Sequence, residues 1–203
     1  RLSLVGRLRD AGFATHGLGK VFHVNKPQFD YEDWDSFPQS NSELFAPISR
    51  LAKTGKFGPS IDFGPVPDGE DQYDDVNTSA MIERMRADSS GQFWALGLYR
   101  PHLPFVVPQR FFDLFPDTVA NPPGLGQNTF DPEARAPQAG LSAAGKSYAN
   151  SRAQFRRIVS RTGEYQDFLK AYLASVAYAD HLLGRVLDHM DATGLWDTTT
   201  LVL

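Results

Sequence analysis

The sequence predicts an α/β fold with a largely parallel central sheet flanked by helices. Three observations carry that expectation. Helical and strand-like segments alternate three times, as 2–9 with 13–18, 77–87 with 92–99, and 164–192 with 198–203; this order builds parallel sheets with crossover helices. The run Gln92-Phe93-Trp94-Ala95-Leu96-Gly97-Leu98-Tyr99 is nearly continuously apolar, as suits a strand covered on both faces. The last helical segment keeps its apolar period for about seven turns.

Taken in order, Leu2, Val5 and Leu8 fall at helical spacing, and Asp10-Ala11-Gly12 supplies a stop, with Gly12 suited to the left-handed position. Phe13 to Leu18 reads as a short strand running into Gly19-Lys20-Val21-Phe22-His23. Residues 26–76 hold neither period and carry Pro27, Pro38, Pro47, Pro59, Pro65 and Pro67, with an Asp68-Gly69 turn signal. Aromatic residues such as Phe29, Trp34, Phe37 and Phe63 argue for an ordered loop there. Trp34 and its neighbours are expected to pack that loop, with stacking on a sugar ring as the other use.

Asn77 or Thr78 is placed to cap a helix through Ala87 that buries Ala80, Met81, Ile82 and Met85. After the strand 92–99, the two prolines of Arg100-Pro101-His102-Leu103-Pro104-Phe105 exclude regular structure. Residues 108–115 predict a short helix presenting Phe111, Phe112, Leu114 and Phe115, and 116–160 a second long ordered loop rich in proline. The final helix carries Tyr165, Phe168, Leu169, Tyr172, Val176, Ala179, Leu183, Val186, Leu187 and Met190 as its apolar stripe and closes at Gly194. Thr198 to Leu203 then reads as a buried strand with no turn residue to end it. The expectation is therefore the middle part of one larger domain, incomplete at both ends.

Composition narrows the function classes. The 203 residues hold 20 Lys and Arg against 24 Asp and Glu, a net charge of −4, without the basic excess of a nucleic-acid binder. The chain is 41% hydrophobic and 22% charged, ordinary for a globular domain. No apolar run approaches the ~20 residues of a membrane span, and none of these residues reads as a signal peptide. Cysteine is absent, which excludes disulfides, thiolate metal sites and a cysteine nucleophile within these residues.

In open α/β sheets ligands sit at the carboxyl ends of strands. Two strands here end in polar clusters, the first in Lys20 and His23, the second in Arg100 and His102. Converging on one edge, these four would suit phosphate, sulfate or carboxylate, and a histidine there can protonate a leaving oxygen. The plainer alternative is a solvated lysine and a hydrogen-bonded packing histidine. His16, His181 and His189 read as structural or surface residues, and Asp180 as serving helix packing or a hydrogen bond to the sheet end. The acidic run Asp68, Glu70, Asp71, Asp74 and Asp75 lacks the spacing of a calcium loop and reads as a solvated turn. No GxxxxGK phosphate loop and no Gly-x-Ser-x-Gly elbow is present.

Four collinear segments resemble a known family. Gly12-Phe13-Ala14-Thr15 with Gly19-Lys20-Val21-Phe22-His23 resembles the Gly-Tyr-x-Thr … Gly-Lys-x-Phe-His segment of sulfatases of the iduronate-2-sulfatase-like branch. Gly97-Leu98-Tyr99-Arg100-Pro101-His102-Leu103-Pro104-Phe105 resembles their Lys-Pro-His segment, continued from Pro108 to Pro116. Tyr172 to Asp180 with Gly184-Arg185 resembles Tyr-x-Ala-Ser-Val-x-Tyr-x-Asp-x-x-x-Gly-Arg, and Leu195 to Leu203 resembles the stretch that there runs into Ser-Asp-His-Gly. The Lys-x-x-His spacing of Lys20 and His23 favours this branch over arylsulfatases, which resemble Lys-x-His.

The resemblance implies an alkaline-phosphatase-like sandwich and hydrolysis of sulfate esters, with a carbohydrate as the expected carrier. It implies a calcium ion and a formylglycine nucleophile made from Cys or Ser. By position it implies that Lys20 and His23 contact the sulfate and nucleophile, and that His102 binds the sulfate or bridging oxygen and helps protonate the leaving alcohol. Arg100 stands where the family usually has Lys, and it is carried as a substrate contact. Neither Cys nor Ser-x-Pro-x-Arg occurs here, and the metal half-sites have no counterpart in these residues. The chain alone is therefore expected to be inactive. The alternatives are a phosphodiesterase or phosphonate hydrolase of the same superfamily, and a non-catalytic relative that binds anionic glycans. The expected partner is a sulfated small molecule or glycan, without nucleic acid or membrane. Export, to the periplasm or outside the cell, or a lysosomal location is what the resemblance favours.

Overall fold

The computed structural model describes residues 3–22, 31–37, 62–69, 72–87, 91–120, 142–145, 147 and 163–203. Helix α1 (Leu4–Asp10) begins where Ser3 accepts the Gly6 amide on its side-chain oxygen at 2.9 Å, the usual service of an N-cap serine. Arg7 and Arg9 lie in its last turn, where cations suit the helix dipole. Gly12 follows with φ of +92°, as the stop signal predicts. Strand β1 (Ala14–Gly19) then pairs in parallel with β3 (Gln92–Gly97), in register from Ala14 opposite Gln92 to Gly19 opposite Gly97.

A second parallel pair joins β2 (Phe63–Val66) to β4 (Phe105–Pro108), with Phe63 opposite Phe105 and Val66 opposite Pro108. Both strands correct the sequence reading, which placed 63–66 inside the loop 26–76 and gave no strand to 105–108. Pro65 is exposed and donates no ladder bond, which a pair at a sheet edge tolerates. The four residues of β4 are all buried. Between β2 and β3 along the chain lies α2 (Tyr73–Ala87). It starts before the expected caps, because Asn77 donates to the Tyr73 carbonyl and Thr78 to the Asp74 carbonyl, both at 2.7 Å. These are back-bonds inside a helix, not caps at its start. The short helix α3 (Gln109–Phe112) follows β4 directly.

Helix α4 (Tyr165–Thr193) is the longest element and closes at Gly194 with φ of +69°. At 29 residues it extends about 43 Å. Its buried side is Ala171, Ala174, Ser175, Tyr178, Leu182, Val186, His189 and Met190. That stripe is rotated from the expected one: Tyr172 and Val176 are exposed. The small side chains of Ala171, Ala174 and Ser175 let the helix approach β4 closely, and bulk on the adjoining face is left outside. Its first half packs with Phe63, Phe105, Val107, Phe111 and Phe112, and its second half with Leu18, Met81, Ile82, Met85 and Leu195. One helix thus backs both strand pairs.

Two further expectations are corrected. Thr198 to Leu203 forms no strand; a 3-10 turn (Leu195–Asp197) precedes it, and Val202 and Leu203 are 85% and 89% exposed. A strand needs a hydrogen-bonded neighbour, and no described strand lies beside it. Asp180 is exposed, not packed. His181 is exposed against the Phe111 ring and His189 is buried, in keeping with structural or surface roles. The remainder of the loop expectations for 26–76 and 116–160 lies outside the described residues.

Candidate functional site

Because β1 and β3 run parallel and in register, their exits leave the sheet at the same edge. Two glycines bring the exits together. Gly19 has φ of +71°, and a Cβ there would strike the Gly97 carbonyl oxygen; a Cβ at Gly97 would strike the backbone of Lys20. In their absence the Lys20 amide donates to the Gly97 carbonyl at 2.7 Å. Lys20 is thereby set over the end of β3, and the chain beyond β3 returns as a turn in which the His102 amide donates to the Tyr99 carbonyl at 2.9 Å.

The ring of Tyr99 is the meeting point. Lys20 Nζ lies 4.8 Å and Arg100 Cζ 5.5 Å from its centroid, and the His102 ring packs against it at 4.8 Å between centroids. The structure thus brings Lys20, Arg100 and His102 together around one aromatic ring, while His23 lies outside the described residues. His102 is exposed, and its Nδ1 is 2.6 Å from the Leu103 carbonyl oxygen. A carbonyl only accepts, so Nδ1 carries the hydrogen, and Nε2 is the nitrogen able to exchange a proton with a substrate.

Arg100 differs from its expected role. It is 6% exposed, and its Nε and Nη2 both donate to the Val106 carbonyl, at 3.3 and 2.9 Å. Those two nitrogens hold β4 to the turn instead of facing an anion. Burial draws its pKa down while the charge of Asp74 opposes that shift; arginine stays protonated regardless.

Asp74 is the residue that sequence reasoning missed. The acidic run it belongs to reads as solvated, yet Asp74 is 3% exposed. Its two carboxylate oxygens accept the amides of Tyr99 and Arg100 at 2.8 and 2.9 Å. Burial pushes its carboxyl upward, against the two amide bonds and the charges of Arg100 and Lys20. Tyr178, 1% exposed on α4, has its phenol pushed well above the ordinary range, first by burial and then by Asp74 and Asp75, so it stays neutral. No sequence signal marks Asp74 out, since its partners lie 25 and 26 residues away. Nearby, Asp75 pairs with Arg185, whose Nη2 also donates to Ser79 at 2.8 Å, tying α4 to α2.

A second cluster lies beside β1. Trp34 is 7% exposed and its ring packs on Phe22, Phe37 and Phe93 at 5.2 to 6.2 Å. It packs the segment 31–37 and is not presented for stacking on a sugar. Among the described residues no group of three or more His, Asp or Glu is placed to hold a metal ion, and the sequence has no Cys. The residues described do not fit a calcium site, and these 203 residues carry no formylglycine precursor motif.

Residues 2–203 match the family profile described as Sulfatase. The chain is 28% identical over 203 residues to a protein named Sulfatase from Formosa agariphila, covering 95% of this chain and 38% of that one. It is 27% identical over 214 residues to the iduronate 2-sulfatase of Mus musculus, covering 95% and 37%. For the Homo sapiens iduronate 2-sulfatase the figures are 27% over 217 residues, 95% and 38%. The chain therefore spans less than two fifths of the length of these relatives.

Proposed function

Because the chain belongs to the sulfatase family, we propose that it contributes the anion-contacting and leaving-group residues of a sulfuric ester hydrolase. The observation that carries this reading is the convergence of Lys20 and His102 on Tyr99 at the shared carboxyl edge of β1 and β3. In sulfate-ester hydrolysis negative charge gathers on the sulfate oxygens and on the departing alkoxide. Cations already fixed in place lower that barrier without reorganising. On this reading Lys20 meets the sulfate oxygens, and His23, three residues further along the sequence, is assigned to the same anion by the resemblance alone. His102, when both of its ring nitrogens carry hydrogen and with Nδ1–H committed to Leu103, passes the Nε2 proton to the leaving oxygen and is left as the neutral Nδ1–H ring. Arg100 acts from behind, through the backbone of the turn and through its charge.

The substrate class that fits is a sulfated carbohydrate, in line with the relatives named for iduronate sulfate. The same resemblance favours an exported or lysosomal setting; no described helix is long and apolar enough to cross a membrane. Calcium and a formylglycine nucleophile belong to the family reading. A second reading is an anion-binding relative without turnover, which Lys20 and His102 would serve equally well.

Titration of the 203-residue chain with inorganic sulfate, against chloride at equal ionic strength, tests the site. Lys20→Met and His102→Gln should each weaken sulfate binding by about tenfold, the scale of one lost charge-assisted hydrogen bond. Unchanged binding in the double variant would sink the assignment. The chain alone should give no turnover of para-nitrophenyl sulfate; measurable turnover would show that the nucleophile lies within it.

A further inference from the structure

We propose that the Tyr99 ring is the positioning residue of this site, a π platform that fixes Lys20 and His102 for an anion. The proposal rests on the reading of Lys20 and His102 given above, and it adds the group that sets their separation. Three side chains from two chain segments contact the one ring: Lys20 from the exit of β1, and Arg100 and His102 from the exit of β3. A tyrosine face carries the negative part of the ring quadrupole and attracts cations held within about 6 Å of its centroid. Both Lys20 Nζ and Arg100 Cζ fall within that range. Two like charges on one ring repel, and the buried Asp74 offsets this, since its carboxylate attracts both Arg100 and Lys20. Asp74 also accepts the Tyr99 amide at 2.8 Å, so the backbone beneath the ring is anchored. Tyr99 itself is 7% exposed. Its position is set from below, and Lys20 and His102 are set by it.

Lysine has a long, freely rotating stem, and a lysine without a platform must be ordered by the ligand each time it binds. A platform removes that ordering cost in advance. The ring does no chemistry in this scheme; it acts through Lys20 and His102.

The test replaces Tyr99 with Phe and then with progressively fluorinated Phe, in the full 203-residue chain. Fluorination drains the negative face while leaving the ring's shape and apolar character. Sulfate affinity should stay within about twofold for Tyr99→Phe and fall stepwise along the fluorine series, reaching about 3- to 30-fold weaker at its end. A ring held only for packing would give a flat series, and a flat or rising series overturns the proposal. A second measurement needs neither variants nor sulfate. In the unliganded wild-type chain, the protons on Lys20 Cε should be shifted upfield by the Tyr99 ring current. Their appearance at the ordinary lysine position overturns the platform whatever sulfate does. If that shift is present and sulfate does not bind, the platform stands and the anion-site reading fails.

Discussion

At the scale of single residues, Lys20 and His102 reach solvent while Asp74, which anchors the backbone of the turn beneath them, is buried. Asp74 accepts two consecutive amides and faces two cations. Replacement by Asn sets two effects against each other. Burial holds the carboxyl above its ordinary value, so removing its charge recovers some desolvation. Asn, however, keeps one oxygen where two are needed and turns an NH₂ toward an amide donor. An unmet buried amide costs about 1–3 kcal/mol, and Arg100 also loses its buried counter-charge, which costs more. The second effect is the larger. Asp74→Asn should lower unfolding free energy by about 2 kcal/mol or more in urea, while Asp75→Asn, half exposed and paired with Arg185, should cost no more than about 1 kcal/mol.

At the scale of elements, the strand exits and the segment 31–37 hold the site in place. Gly97 packs against the Lys20 backbone, and Gly97→Ala forces the exits of β1 and β3 apart. The expected loss is about 1–3 kcal/mol of stability, with Lys20 drawn away from Tyr99; a melting curve indistinguishable from wild type would refute the close approach. The segment 31–37 is fastened to β1 by Asp35, whose Oδ2 accepts the Thr15 amide at 2.9 Å and whose Oδ1 meets Arg9 at 3.0 Å. The Thr15 amide, then its hydroxyl and the charge of Arg9, hold the Asp35 carboxyl below its ordinary value, against a smaller opposing effect of burial. The sign follows from linkage. A carboxyl depressed by folding stabilises above its unfolded pKa of about 3.9, and that stabilisation is lost as pH falls through the lower folded value. The melting temperature of Asp35→Asn should therefore lie below wild type at neutral pH, and the gap should close as pH drops beneath about 4. A gap independent of pH would remove Asp35 from the fastening.

Helices with a sustained period were legible in the sequence, and so were the strands β1 and β3, though not their pairing with each other, which joins residues far apart along the chain. Leu4–Asp10, Tyr165–Thr193 and the two strands match their expected bounds within a few residues. What was not legible depended on partners far along the chain. Phe63–Val66 and Phe105–Pro108 are too short and too proline-rich to show alternation, and each exists through the other. The α4 stripe was misplaced because small residues, not large ones, mark the side that meets a strand closely. Asp74 was hidden for the same reason as β2: nothing local distinguishes a buried acceptor from a solvated acid.

At the scale of the whole chain, α4 is the element on which cooperativity depends. It contributes Ala171, Ala174, Tyr178 and Leu182 to one apolar cluster, and Val186 and Met190 to the other. Among the described residues the β1–β3 and β2–β4 pairs share no backbone ladder, so the helix is what links them. Leu182 is 1% exposed and belongs to the first cluster, and Leu182→Ala removes a buried side chain at a cost of about 2–5 kcal/mol. If the helix couples the two clusters, that loss is felt at both. Trp94 packs against the second cluster and can report on it alone once Trp34 and Trp196, the other two tryptophans, are changed to Phe. In that background Leu182→Ala should move the urea midpoint of Trp94 fluorescence by the same amount as the midpoint of far-ultraviolet circular dichroism, as one cooperative transition requires. A Trp94 midpoint that stays in place while the dichroism shifts would mean that the clusters unfold separately. In that case the cations at the β1–β3 edge would not depend on the packing of β4 against α4.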